Sequence, residues 1–179
     1  MILTGASRGI GGAAAEIYLS QSTSHNLVAI ARSSESLNAL KEKYGDRALP
    51  HVKESNGRFV AVSSGASTKS YYAWGAYGAS KAALNHLVQT MVAEDPQVNA
   101  ISVAPGVVDT NMQEDIRTKF GANMTPESLQ RFIDFHKNKE LLPPEVPANL
   151  LVNLAVKGWG KNLNGGYHRI GEEALKEFQ

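Results

Sequence analysis

Ile2-Leu3-Thr4-Gly5-Ala6-Ser7-Arg8-Gly9-Ile10-Gly11, with the alanine-rich run that follows it to about Ser20, reads as strand, glycine turn and helix. Glycine lets a backbone turn sharply and approach a ligand closely, and the free amides at a new helix N-terminus bind a pyrophosphate. The spacing is G-x-x-x-G-x-G, a variant of the G-x-G-x-x-G dinucleotide fingerprint and not a match to it. Taken alone, the run is equally a plain glycine turn.

Working outward, a second strand over Leu27 to Ala31 leads through Arg32-Ser33-Ser34 into a helix from about Glu35 to Tyr44. In dinucleotide folds an acid about 20 residues past the glycines takes the ribose 2′-hydroxyl, whereas an arginine there accommodates a 2′-phosphate. Arg32 lies 21 positions past Gly11 (32 − 11), and the only acid between them is Glu16, inside the first helix. Arg8 can reach the same phosphate from the glycine turn. Two arginines and no acid point to NADP(H) over NAD(H); the alternative is two solvated surface arginines. Further strands over Phe59 to Ser63, Val98 to Val103 and Gly166 to Ile170, with a helix over Val146 to Val156, give alternating strands and helices, the pattern of an α/β parallel sheet.

The strand entered through Asn56-Gly57 ends in Ser63-Ser64-Gly65, which puts hydroxyls at the carboxyl end of a strand, where open α/β sheets bind ligands. Thirteen residues after Ser64 comes Tyr77-Gly-Ala-Ser-Lys81. If these residues open a helix, Tyr77 and Lys81 share one face, one turn apart. An ammonium so close favours the phenolate of a tyrosine whose free pKa is about 10, and such a group exchanges a proton with a carbonyl near neutral pH. A Tyr-x-x-x-Lys pair in isolation is as readily a surface helix turn. Tyr71, Tyr72 and Trp74 line a pocket for an apolar substrate or else pack a long loop. The stripe Leu84, Leu87, Val88, Met91 and Val92 buries one helix face against the core, or in part against another subunit. Pro105 to Thr110 forms a turn able to hold an amide. The polar segment 111–144, with a helix start at Thr125-Pro126-Glu127, has the length and position of a lid over a ligand.

With 179 residues and 42% hydrophobic content, the chain suits one domain with one core. Its 18 basic residues balance 17 acidic ones, for a net charge of +1, which argues against nucleic acid or an anionic membrane as the main partner and for a small molecule. There is no cysteine, and the five histidines are scattered without paired spacing, so no metal site is expected; His136 beside Asp134 reads as a solvated helix face. No apolar run approaches the roughly 18 residues of a membrane span, and a cytoplasmic location is the simplest placement.

Thr4-Gly-Ala-Ser-Arg-Gly-Ile-Gly11, Val62-Ser-Ser64, Tyr77-x-x-x-Lys81 and Pro105-Gly-x-Val-x-Thr110, in this order, resemble the short-chain dehydrogenase/reductase family, and the fuller strings around them resemble its benzil reductase branch. The resemblance implies a Rossmann-like doubly wound sheet and an NADPH-dependent carbonyl reductase, with an aromatic diketone as one substrate. In that scheme Tyr77 donates the proton, Ser64 hydrogen-bonds the same oxygen, with Ser63 as the second choice, and Lys81 tunes the tyrosine and binds the nicotinamide ribose. Gly5, Ser7, Arg8, Gly9, Ile10 and Gly11 cradle NADP, Arg32 takes the 2′-phosphate, Val108 and Thr110 hold the carboxamide, and Pro105, Tyr77 and Lys81 also bind the cofactor.

The chain departs from the family between Arg47 and Ala48, where a third strand, an Asn-Asn-Ala-Gly strand end and a long helix with a catalytic asparagine are missing. About five strands are then expected, with family strands 3 and 4 absent. If the strands flanking the lost one pair directly, the serine and tyrosine move by one strand spacing, about 4.8 Å. The lost helix is also the family's main oligomer surface, so a homo-oligomer is possible while the usual tetramer is put in doubt. A catalytically silent dinucleotide-binding protein, from a spliced or incomplete coding sequence, is the competing expectation.

Overall fold

The computed structural model describes residues 1–4, 6–24, 27–30, 34–45 and 57–179. Gly5, Arg32 and the Arg47–Ala48 junction lie outside the described residues. Among the described residues, five strands alternate with helices: β1 (Ile2–Thr4), α1 (Gly9–Gln21), β2 (Val28–Ile30), α2 (Ser34–Tyr44), β3 (Arg58–Val62), α3 (Gly75–Glu94), β4 (Asn99–Ala104), α4 (Asn111–Asp115), α5 (Pro126–Lys137), α6 (Glu145–Lys157) and β5 (Tyr167–Arg169).

All pairings among these strands are parallel, as expected, but the strands fall into two sheets. β1 pairs with β2 in one, and the other has the order β3-β4-β5. The direct pairing across the missing strand does not form among the described residues: β1 and β3 stay in separate sheets. Helices join them instead. Ile101 and Val103 of β4 pack under Leu150, Leu151 and Leu154 of α6, while Ala61 and Ala100 pack on the opposite face against Val88 of α3. The three-stranded sheet is thus covered on both faces, which is why β4 is apolar nearly throughout. Across a seam of small residues, Ala14 of α1 meets Ala148 and Val152 of α6. On its other flank α1 buries Ala15 and Leu19 with Leu27 and with Leu40 of α2.

Local chemistry fixes the element ends. Thr125 caps α5 by accepting from the Ser128 amide, with Pro126 in the first turn, where its missing N–H costs nothing. Arg58 donates to the Ala155 and Val156 carbonyls at 2.9 and 3.1 Å, serving the unpaired C-terminal end of α6. The stripe on α3 is buried in part only. Val88 is fully buried and Leu84 and Val92 are partly so, but Leu87 is 50% exposed. A 20-residue helix resting on a narrow three-stranded sheet meets it along a seam narrower than its apolar face.

Candidate active site

The carboxyl ends of β3 and β4 open into a cavity of about 380 Å³ that brings together Ser64, Tyr77, Lys81, Pro105, Val108 and Thr110. Ser64 leaves β3 in extended conformation and caps the short turn Gly65–Ser67, its Oγ accepting from the Ala66 amide at 3.2 Å. A hydroxyl has one proton and two lone pairs, so this contact leaves the Ser64 proton free to donate. Ser63 is buried, and its hydroxyl donates to Asn85 Oδ1 at 2.6 Å. Asn85 Nδ2 donates to Ser67 Oγ at 2.8 Å, and Ser67 Oγ donates to the Ser64 carbonyl at 2.6 Å. Tyr167 of β5 adds a 3.3 Å donation to that same carbonyl. The serine turn is therefore held from α3 and β5 together, with the Ser64 hydroxyl left facing the cavity.

Gly78 sets the distance between the serine turn and Tyr77. A Cβ at this position would lie 2.8 Å from the Ala66 carbonyl oxygen, so α3 approaches the serine turn this closely only because the residue after Tyr77 has no side chain. One turn further on, Lys81 Nζ donates to the Val62 carbonyl at 2.8 Å and sits 5.8 Å from the centre of the Tyr77 ring. Burial of the Lys81 ammonium pushes its pKa below the ordinary lysine value.

The apolar wall comes from two directions. Trp74 meets the Tyr77 ring edge-on at 5.3 Å and stacks on Phe132 of α5 at 5.7 Å with 8° between the ring planes. Tyr71 lines the cavity too, whereas Tyr72 is 65% exposed and is not part of it. The aromatic loop thus divides, Tyr71 and Trp74 to the cavity and Tyr72 to solvent. Sequence reasoning passed over Phe132, Phe135 and Arg131, although their spacing on a capped helix puts them on neighbouring faces. It also passed over Arg169, at the end of β5.

Of the glycine turn, Ile10 reaches the cavity, while Ser7, Arg8 and Gly9 line an adjoining groove of about 530 Å³. Gly9 adopts φ +56°, a conformation in which glycine has no penalty, and a Cβ there would lie 3.4 Å from Thr110 Cγ2. Groove and cavity therefore meet between Gly9 and Thr110. Gly11 lines neither. The turn after β4 is tied back by Asp109 N–H to the Leu142 carbonyl (2.8 Å) and Leu142 N–H to the Val107 carbonyl (2.9 Å). His136 and Asp134 are both exposed on α5. Among the described residues no cluster of three or more His, Cys, Asp or Glu side chains is placed to hold a metal, and no helix is long and apolar enough to cross a membrane.

The short chain dehydrogenase family profile matches residues 46–120. An uncharacterized oxidoreductase of Saccharomyces cerevisiae is 32% identical over an alignment of 248 positions covering 99% of this chain and 98% of that protein. Set against 179 residues, that length leaves about seventy positions of the relative opposite a gap. A benzil reductase of the same yeast, forming (S)-benzoin, is 49% identical over 136 residues, 73% of this chain but 52% of that protein, so the chain spans about half the length of this relative. The crystal structure of a short chain dehydrogenase/reductase from S. cerevisiae superposes with a TM-score of 0.92 at 31% identity, covering 99% of this chain and 98% of that one. Similarity to the yeast oxidoreductase that runs from one end to the other, around an internal gap, places the chain in the short-chain dehydrogenase/reductase family, close to its benzil reductases.

Proposed function

We propose that the chain is an NADPH-dependent carbonyl reductase acting on aromatic ketones such as diketones. The observation that carries this is the joint opening of Ser64, Tyr77 and Lys81 into one aromatic-walled cavity. The groove beside it suits a dinucleotide, because Ser7, Arg8 and Gly9 line it where α1 begins, and the free amides of a helix N-terminus bind a pyrophosphate. Ser7, Arg8, Gly9, Ile10, Gly11 and Pro105, with Gly5 and Arg32, are assigned to the cofactor, and Val108 and Thr110 to its carboxamide. When bound, NADPH supplies the hydride.

The chain's own residues do the rest. The Tyr77 hydroxyl gives its proton to the substrate oxygen, and the free Ser64 proton hydrogen-bonds that oxygen. Lys81 spends one N–H on the Val62 carbonyl, which leaves two to hold the cofactor ribose and to tune the tyrosine. The segment 111–144 serves as the lid of this one-domain protein, since α5 supplies the outer wall. A small-molecule carbonyl compound, with no nucleic acid or membrane partner, and a cytoplasmic setting complete the reading; a homo-oligomer is compatible with it.

One observation favours a second reading. With β1 and β3 in separate sheets and about seventy positions absent, a cofactor-binding but silent protein accounts for the same residues. Loss of nicotinamide absorbance when the protein is mixed with NADPH and benzil, abolished by Tyr77→Phe, separates the two. Thermal stabilisation by NADPH without turnover decides for the silent protein, and turnover indifferent to Tyr77→Phe refutes the proposed chemistry.

A further inference from the structure

We propose that the cavity selects carbonyl substrates carrying an anionic group, aryl 2-oxo acids in the first instance, with Arg131 and Arg169 as the residues that read the carboxylate; the inference rests on the function just proposed. The cavity wall carries three cationic side chains, Lys81, Arg131 and Arg169, and no carboxylate. Lys81 is partly committed to the Val62 carbonyl. The two guanidinium groups are not: among the described residues neither donates a hydrogen bond, and neither has a carboxylate oxygen within 4.0 Å. Arg131 also borders a shallow neighbouring groove with Glu127, Asp134 and Glu140, yet pairs with none of them, and Asp134 instead accepts from Gln130.

Their placement suits a substrate. A Cβ on Gly65 would meet Arg169 Nη1, Nη2 and Cζ at 3.6, 3.6 and 3.7 Å, nearly equal distances that lay the guanidinium flat over the backbone beside Ser64, with its N–H edges unused. Arg131 stands 6.0 Å from the Tyr71 ring and 5.3 Å from the Phe135 ring, a cation resting on the aromatic wall. A guanidinium presents a planar fork that matches a carboxylate and is only weakly hydrated, so it binds that anion without the desolvation cost of an ammonium. A ligand with an aryl group against Trp74 and Phe132, a carbonyl at Ser64 and Tyr77, and a carboxylate toward the arginines meets the free Ser64 proton and both guanidinium forks. The product is the matching 2-hydroxy acid, its two electrons those of NADPH and its proton that of Tyr77. A cofactor phosphate is the other anion that a free guanidinium in this cavity would bind.

The test compares phenylglyoxylate, its methyl ester and benzil on the 179-residue protein and on Arg131→Gln and Arg169→Gln, both exposed positions whose change spares the fold. Phenylglyoxylate is expected to have the lowest KM. Either substitution raises that KM by roughly tenfold to a hundredfold, the usual range for a charged hydrogen-bonded pair, while KM for the ester and for benzil and the affinity for NADPH shift far less. Added salt raises KM for the acid and not for the ester. Equal KM for acid and ester, or equal effects of the substitutions on both, overturns the inference. Weakened NADPH binding with no change for the acid also overturns it, in favour of the cofactor phosphate. If nothing is turned over, quenching of Trp74 fluorescence by phenylglyoxylate, in a Trp159→Phe background and lost in both arginine variants, supports the inference while the proposed function fails. Absence of that quenching, with or without benzil turnover, refutes the inference.

Discussion

Asn85 offers the most direct test of how the site is held. It lies eight residues past Tyr77 on α3, and it is 8% exposed. Asn85→Leu keeps the branched outline of the side chain but removes the acceptor of the Ser63 hydroxyl and the donor to Ser67. Ser63 is 2% exposed, so its hydroxyl finds no water in exchange. An unsatisfied buried polar group costs about 1–3 kcal/mol and a lost hydrogen bond about 1, which together give about 2–4 kcal/mol for the single substitution. For a chain of this size each kcal/mol moves Tm by about 2–4 °C, so a fall on the order of 10 °C is expected. Ser63→Ala alone strands Asn85 Oδ1 and costs about 1–2 kcal/mol. The double variant Ser63→Ala with Asn85→Leu strands neither atom, and it should be more stable than the sum of the singles by about 1–2 kcal/mol. Urea unfolding of the four proteins measures the cycle. Additive losses would show that the 2.6 Å contact carries no stability, and the account of how the serine turn is held would be wrong.

Three further outcomes follow from the same geometry. Gly78→Ala forces a methyl to 2.8 Å from the Ala66 carbonyl, so it should cost about 1–3 kcal/mol in urea unfolding and lower kcat more than it raises KM, because it drives Tyr77 from Ser64. Thr125→Ala removes the α5 cap and should cost about 1 kcal/mol, read as faster amide exchange in the first turn of α5. Burial lowers the Lys81 pKa, so the unfolded chain binds that proton more tightly than the folded one. Between the lowered folded value and the unfolded value near 10.4, stability therefore rises with pH, while turnover that needs the ammonium falls over that window. Lys81→Met should abolish this rise, and its persistence in the variant would assign it to another group.

Much of this was legible in the residues because local chemistry decides it. The strand ending at Ser63-Ser64, the helix opened by Tyr77 and the Thr125-Pro126 start each lie where hydroxyl, glycine and proline positions put them, to within a residue or two. The division into two sheets was not legible, because strand pairing depends on which edges meet, and a sequence lacking one strand does not say whether its neighbours close up. Helix spacing marked Leu87 as facing the core or, in part, another subunit, but what covers a helix face is a tertiary matter, and the narrow sheet leaves that residue uncovered within the chain. Arg131 and Arg169 carry no motif. They join one cavity only when α5 folds across the carboxyl end of β5's sheet, and nothing local to either residue signals that meeting.

The alanine seam between α1 and α6 has a consequence for how the protein opens. Ala14, Ala148 and Val152 bury little area each, and no ladder of backbone hydrogen bonds among the described residues crosses from one sheet to the other. The unit of β1, β2, α1 and α2 can then part from the rest by losing mainly side-chain contacts, whereas breaking the β3-β4-β5 ladder requires global unfolding. Native-state amide exchange should divide the chain accordingly, with β4 amides exchanging at the full unfolding free energy and those of β1 and β2 through a cheaper opening. A nucleotide spanning the groove and the cavity would bridge the two units, so its binding should slow exchange in β1 far more than in β4.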